Sequence, residues 1–318
     1  MEFVNVSQAA ALLKDAENIL IVTHIRPDGD AAGSGCALCL GLRALGKRAY
    51  LVPNPPSMAR YEPYMTPYFA PEGFVPGFVA AVDTPGPGQF PPGWEQLVDK
   101  TDLAIDHHGT NSGYARYTCL EPDSAATGEL VYLLLQELGV AVSPAMAKAL
   151  YTALTTDTNC FRTPGTTART LSIAAALRDT GFDAAELTRR LFETKTAARL
   201  RLESALFGNM RFPMPGVCVM VLDLAAIAAC GAEENDMDKL SLLTAVPEGV
   251  WAGLMLRELP DGTWKVSLRT DGSVHAGHIL RAIGGGGHAD AAGAVAPGPA
   301  EDIEAAVLDA LKTARESL

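Results

Sequence analysis

Three histidines and five aspartates sit where apolar runs stop. The stretch "LAIDHHGTN" (103–111) ends on Asp106, His107 and His108 before turning at Gly109. "THIRPDGDAAGS" (23–34) spaces His24, Asp28 and Asp30 as H-x3-D-x-D, Asp83 closes "GFVAAVD", and Asp157 lies in "TTDTNCF". Adjacent side chains on a strand point to opposite faces, so two neighbouring histidines are hard to satisfy together in a core. A buried pair is the plain reading; a metal or phosphate site is the other. Mixed imidazole and carboxylate supplies ligands for two divalent ions and suits Mn²⁺. Asp30 also reads as a helix N-cap.

The C-terminal half offers a different chemistry. "VSLRTDGSVHAGHILRAIGGGGHADAAGA" (266–294) carries Arg269, the run Gly284, Gly285, Gly286, Gly287, and then His288. Consecutive glycines place bare backbone N–H groups where a phosphate can approach closely. A flexible hinge is the bland reading of such a run. His275 and His278 read as surface or supporting residues.

These residues need a scaffold that brings them together. In the first half short apolar runs ("NILIVTH", "RAYLVP", "GFVAAVD", "DLAIDHH") alternate with helical stretches: 30–46, 124–139, and 143–158 with Ser143 as N-cap and Pro144 at the first position. That alternation predicts an α/β fold with a parallel sheet flanked by helices. Ligands bind beyond the carboxyl ends of parallel strands, which is where His24, Asp83 and Asp106 fall. The Pro/Gly-rich stretches within 53–93 read as ordered surface loops. A helical run over 184–208 reads as a connector, and strands and helices resume from 215. The expected division is a first domain over 1–185, a linker helix over 186–212 and a second, smaller α/β domain over 213–318.

Composition narrows the partners. The chain has 318 residues, 48% hydrophobic and 19% charged, with a net charge of −12. Residues 215–318 hold 7 Lys+Arg against 15 Asp+Glu, a balance of −8. A protein that grips long nucleic acid through its phosphates is basic somewhere substantial, so a long duplex is excluded and a small phosphorylated ligand is not. The start lacks a basic n-region and no long uncharged apolar run follows, so no membrane association and a cytoplasmic location are expected. Six scattered cysteines agree with a reducing compartment. Cys36 and Cys39, at C-x-x-C spacing, read as small core residues of a helix.

Taken together, "HIRPDGDAAGS", "VDT", "IDHHGTN", "TTDTNCF" and "GGGGHADAAG" resemble the DHH-family phosphoesterases with a DHHA1 C-terminal domain. More narrowly, the chain is similar to the small bacterial oligoribonucleases that degrade nanoRNA and dephosphorylate 3′-phosphoadenosine 5′-phosphate. The resemblance covers nearly the whole chain. It implies a DHH domain, a linker helix and a DHHA1 domain with the active site in the cleft between them. It implies two Mn²⁺ ions, with Mg²⁺ or Co²⁺ as substitutes, one held by His24, Asp28 and Asp83 and the other by Asp30, Asp83, His107 and Asp157. Asp83 would bridge them, and His108 would face the substrate phosphate. Asp106 would orient a ligand histidine. Arg269 and the segment Gly284 to His288 would bind phosphate and nucleotide.

The implied reaction is hydrolysis of oligoribonucleotides of two to about five residues, by water activated between two ions. The implied assembly is a homodimer. The loop "VDTPGPGQFPPG" departs from the family in lacking an arginine after the aspartate. Cyclic dinucleotides or linear pApA and pGpG are the nearest alternative substrates. A nucleotide-binding regulator without turnover is a distant one, which the intact ligand set argues against.

Overall fold

Why these apolar runs form strands is plain from the first of them. Ile19–Thr23 is buried at every position: Ile19 and Ile21 pack in the core formed with the helices, and Leu20 and Val22 in a second cluster with Phe90 and Leu97 on the opposite face. The computed structural model describes residues 1–56 and 59–316 and divides into two units, Met1–Thr194 and Lys195–Leu318. Ser57 and Met58 of the predicted loop region lie outside the described residues.

Unit 1 contains β1 (Glu2–Phe3), α1 (Val6–Asp15), β2 (Ile19–Thr23), α2 (Gly29–Ala44), β3 (Ala49–Leu51), the one-turn α3 (Glu62–Met65) and β4 (Phe78–Val82). It continues through β5 (Leu103–Asp106), β6 (Tyr117–Leu120), α4 (Thr127–Glu137), α5 (Pro144–Asp157), α6 (Ala168–Arg178) and α7 (Ala184–Thr188). The sheet runs β1-β6-β5-β4-β2-β3, with every pairing parallel. Ser143 caps α5 by accepting the Met146 N–H, with Pro144 first in the helix, as predicted.

Two helices meet at unusually short range. α2 and α5 run antiparallel, so the start of one lies beside the end of the other. A β-carbon built at Gly29 would collide with the Thr156 side chain, and one at Gly33 with the Ala149 carbonyl. These two glycines, one turn apart, let the backbones touch and bring Asp30 beside Asp157. Cys36 and Cys39 are both buried on α2, as predicted, and burial pushes both thiols up.

The predicted linker helix over 186–212 is not one helix. α7 passes into a π-turn over Arg189–Glu193, the chain extends at Thr194, and α8 (Ala197–Gly208) starts afresh. The break has a local cause: the Thr196 hydroxyl accepts the Arg199 N–H and caps α8, which requires extended backbone at that residue.

Unit 2 adds β7 (Arg211–Met214), β8 (Val217–Leu222), α9 (Leu224–Cys230), β9 (Ala252–Glu258), β10 (Trp264–Thr270), α10 (Ala276–Leu280), β11 (Gly286–Gly287), β12 (Ala291–Ala296) and α11 (Ala300–Glu316). Its mixed sheet runs β11-β12-β10-β9-β8-β7, with only β8 and β9 parallel. Among the described residues no helix is long and apolar enough to cross a membrane.

Candidate metal centre

The aspartate of "DGD" nearest the histidine is the helix cap. Asp28 accepts the Asp30 and Ala31 N–H groups and starts α2, so Asp30 is not the N-cap that the sequence suggested. Asp30 lies instead in the first helical turn, 1% exposed. Its Oδ2 accepts the Thr127 N–H (2.7 Å), and its Oδ1 the Gly128 N–H (3.0 Å) and the Ser34 hydroxyl (2.7 Å). The carboxylate thus occupies the anion-seeking N-terminus of α4.

Asp83 follows β4 with φ of 54°, a left-handed conformation that costs energy for most side chains. That turn aims its two oxygens at different histidines. Oδ2 lies 3.8 Å from His24 Nε2, and Oδ1 lies 3.9 Å from His107 Nε2. The Thr127 hydroxyl donates to Oδ1 at 2.9 Å.

The two adjacent histidines do not diverge across a strand. β5 ends at Asp106, whose Oδ1 accepts the N–H of both His107 and His108. The turn this makes sets the rings edge to face, with centroids 4.6 Å apart. Asp106 also receives His108 Nδ1 at 2.8 Å and the Asn111 amide at 2.6 Å. It therefore orients His108, whereas the Nδ1 of His107 meets the Ser124 carbonyl at 3.0 Å. The histidine ring that Asp106 holds is that of His108, itself a member of one candidate ligand group, while His107 gives Asp106 only its backbone N–H. Burial opposes ionisation of Asp106, but the bonds from His108 and Asn111 outweigh it and hold its pKa below the usual range.

The remaining contacts complete two groups. His24 Nε2 is 3.8 Å from Asp28 Oδ1, and His107 Nε2 is 3.8 Å from Asp30 Oδ2 and 3.3 Å from Asp157 Oδ2. His24, Asp28 and Asp83 can each turn one atom to a common ion, as can Asp30, His107 and Asp157, and also Asp83, His107 and His108. The His107 Nε2 is buried and, despite its approach to Asp157, makes no aligned hydrogen bond among the described residues. An orphaned imidazole nitrogen facing three carboxylates is the donor set of a divalent cation, so these residues fit a metal.

Protons and cations compete for this cluster. Burial, and then the neighbouring Asp157, raise the Asp30 pKa to about 7; burial and then Asp30 push Asp83 well above the ordinary range. Burial opposes protonation of His107, but Asp157 and Asp30 outweigh it and set its pKa at about 9. Both Asp30 and His107 are raised above their unfolded values. Their stabilising contributions are complete below about 4 and 6.5 and are lost as pH rises through about 7 and about 9. Chelated protein should therefore melt several degrees lower at pH 9.5 than at pH 6, and a divalent ion should restore it. Scanning calorimetry in EDTA checks this, and a melting temperature that rises over the window counts against the cluster.

Unit 2 places its residues differently from expectation. Arg269 lies near the end of β10 with its Nε buried and without a hydrogen-bond partner among the described residues. The glycine run is not an open nest. The N–H groups of Gly284, Gly285 and His288 donate to the carbonyls of Arg281, Leu280 and Ala291, while Gly286 and Gly287 form β11. A β-carbon at Gly285 or Gly287 would strike β12, so close packing accounts for those two glycines. His275 caps α10, and its ring stacks on that of His278 at 3.9 Å.

The DHH family N-terminal domain model matches residues 18–154, and the DHHA1 domain model matches residues 227–316. Over 97% of its length the chain is 37% identical to the bifunctional oligoribonuclease and PAP phosphatase NrnA of Thermus thermophilus, covering 93% of that protein. The chain belongs to the DHH family of phosphoesterases, with a DHHA1 domain. A second relative, the Bacillus subtilis protein of the same name, is 27% identical over 87% of this chain and 89% of its own. The fold of an exopolyphosphatase-related protein from Bacteroides fragilis superposes with a TM-score of 0.85 at 23% identity, covering 98% of this chain and 95% of that one. As a family member the chain is a hydrolase whose motif residues, His24 to Asp157, gather at the carboxyl edge of the unit 1 sheet.

Three supporting residues escaped the sequence reading: Ser124, Thr127 and Asn111. Only Asn111 carried a signal, by its place in "DHHGTN".

Proposed function

We propose that the protein hydrolyses oligoribonucleotides of two to about five residues to mononucleotides, and 3′-phosphoadenosine 5′-phosphate to AMP, using two Mn²⁺ ions. The observation that carries the proposal is the split aim of Asp83, one oxygen toward His24 and the other toward His107. In this reading His24, Asp28 and Asp83 hold one ion, and Asp30, Asp83, His107 and Asp157 the other. Two divalent ions so held supply an acidified water and a counter-charge for phosphoryl oxygens.

The rest is the work of side chains. The Ser124 carbonyl keeps a proton on His107 Nδ1 and so leaves Nε2 free to ligate. Asp106 fixes the His108 ring through Nδ1; the side chain is 41% exposed, and its Nε2, when protonated, donates to a substrate phosphoryl oxygen. Unit 2 is the substrate-binding unit: Arg269 and His288 take a phosphate, the arginine with an Nε that has no hydrogen-bond partner among the described residues. A cytoplasmic location belongs to the same proposal, and the six free cysteines agree with a reducing compartment.

The test is hydrolysis of a labelled RNA dimer, 3′-phosphoadenosine 5′-phosphate, pApA, cyclic dinucleotides and pyrophosphate, side by side with Mn²⁺. Turnover of the first two at comparable efficiency supports the proposal. Turnover confined to cyclic dinucleotides or to pyrophosphate overturns it. Arg269→Ala and His288→Ala should each raise KM about tenfold or more while two ions remain bound, since a lost charge-assisted bond is worth roughly 1.5–3 kcal/mol. Loss of an ion from either variant would move that residue to the metals.

A further inference from the structure

The nine residues "EPDSAATGE" (121–129) join β6 to α4 and touch three candidate ligands. The Ser124 carbonyl accepts from His107 Nδ1, the Thr127 and Gly128 N–H groups donate to Asp30, and the Thr127 hydroxyl donates to Asp83. The positions of His107 and Asp30 are therefore only as well defined as this segment.

One guanidinium from α6 grips it at three points. Arg169 Nη2 donates to the Ser124 hydroxyl (2.7 Å), Nε to Glu129 (2.8 Å) and Nη1 to Glu121 (3.1 Å). Glu129 is fully buried in the first turn of α4 and also receives the Thr170 hydroxyl. The carboxylate of this pair is buried but the arginine side chain is 41% exposed, and an ion pair so open to water contributes little stability. What a planar fork adds is direction, since three donors at fixed angles set three acceptors at once.

We propose that Arg169 is a positioning residue for the metal centre, acting through Ser124 and Glu129 on His107 and Asp30, and thereby on the ion they share with Asp157. The inference rests on the two-ion reading above. Arg169 contacts none of the candidate ligands among the described interactions, and its effect falls chiefly on one ion of the two, because the Ser124 and Glu129 groups it holds lead to His107 and Asp30, whereas the Thr127 hydroxyl on the shared Asp83 is not among its contacts.

The experiment titrates the metal-free full-length protein with Mn²⁺, reading free ion by electron paramagnetic resonance, for wild type, Arg169→Lys and Ser124→Ala. Lysine keeps the charge beside Glu129 and loses the fork. The expected result is two ions per chain in both variants. One should bind at wild-type affinity and the other about 10–100-fold more weakly in Arg169→Lys, with a smaller loss in Ser124→Ala. Excess Mn²⁺ should return kcat to within about threefold of wild type, and the metal-free variants should keep the wild-type circular dichroism spectrum, which separates lost positioning from unfolding that the ion could also reverse. Unchanged affinity at both sites overturns the proposal, as does an equal loss at both. If Arg169→Lys does not fold, Ser124→Ala decides: unchanged weak-site affinity overturns the proposal, and a selective loss supports it. Fewer than two ions in wild type overturns the two-ion reading, and this proposal with it.

Discussion

Asp83→Asn in the chelated protein will melt at a higher temperature than chelated wild type, and with Mn²⁺ it will hydrolyse an RNA dimer roughly 1,000-fold more slowly or worse. The two halves of that result have one cause. Burial, with Asp30 next, pushes the Asp83 pKa well above the ordinary range, so an ionised carboxylate there is a net cost to the metal-free fold. An amide removes the charge and keeps the oxygen that accepts from Thr127. Asparagine also tolerates the left-handed backbone at φ of 54°, which alanine would not, so the variant isolates charge from strain. In the two-ion reading activity falls because a residue shared by both ligand groups is no longer a carboxylate, and each lost 1.4 kcal/mol of transition-state stabilisation is about tenfold in rate. Melting and initial rates on the same preparation check both halves. Residual activity above a tenth of wild type, or a lower melting temperature in EDTA, would sink the bridging role.

The second large effect is on substrate length. We expect kcat/KM at one stated salt concentration to fall by about 100-fold between RNA of 5 and 24 residues. Long strands gain affinity when each added phosphate meets a free cation. The net charge is −12, and of the basic residues Arg189, Arg190, Lys195, Arg199 and Arg201 three are already paired with acids of the chain. Arg189 pairs with Glu186, and Lys195 and Arg199 both pair with Glu203, at 2.7–2.8 Å. Arg199 also donates to the Asp236 carbonyl. A track in which three of five cations are already matched by acids gains little from each added phosphate. A flat or rising profile over 2, 5, 12 and 24 residues would refute this and mark a processive nuclease.

Much of this centre was legible before any coordinates. His24, Asp83 and Asp106 terminate runs of strand length, and in a parallel sheet such ends share an edge, so their convergence followed from pattern alone. Asp28 and Asp30 were legible as a pair but not in their parts, because either spacing from the helix start is compatible with capping. The choice is made by α4, whose N-terminus claims Asp30 from nearly 100 residues away. The turning of His107 and His108 to one side was hidden for a related reason, since strand alternation holds only while the strand lasts. The glycine run misled because an N–H looks equally free in sequence whether or not a carbonyl lies across from it. Ser124, Thr127 and Arg169 were invisible as site residues: their roles exist only in contacts across the fold, and serine, threonine and arginine carry no ligand signature.

The close meeting of α2 and α5 has a consequence for how ion preference could drift or be engineered. Asp30 and Asp157 ride on different helices, and two missing methyl groups, at Gly29 and Gly33, set the gap between those helices. A larger residue at Gly33 touches no candidate ligand, yet it would wedge the helices apart and widen the space between Asp30 and Asp157. The radius that this space accepts is thus set from the hydrophobic interior, and selection for a different metal could act there while every motif residue stayed the same.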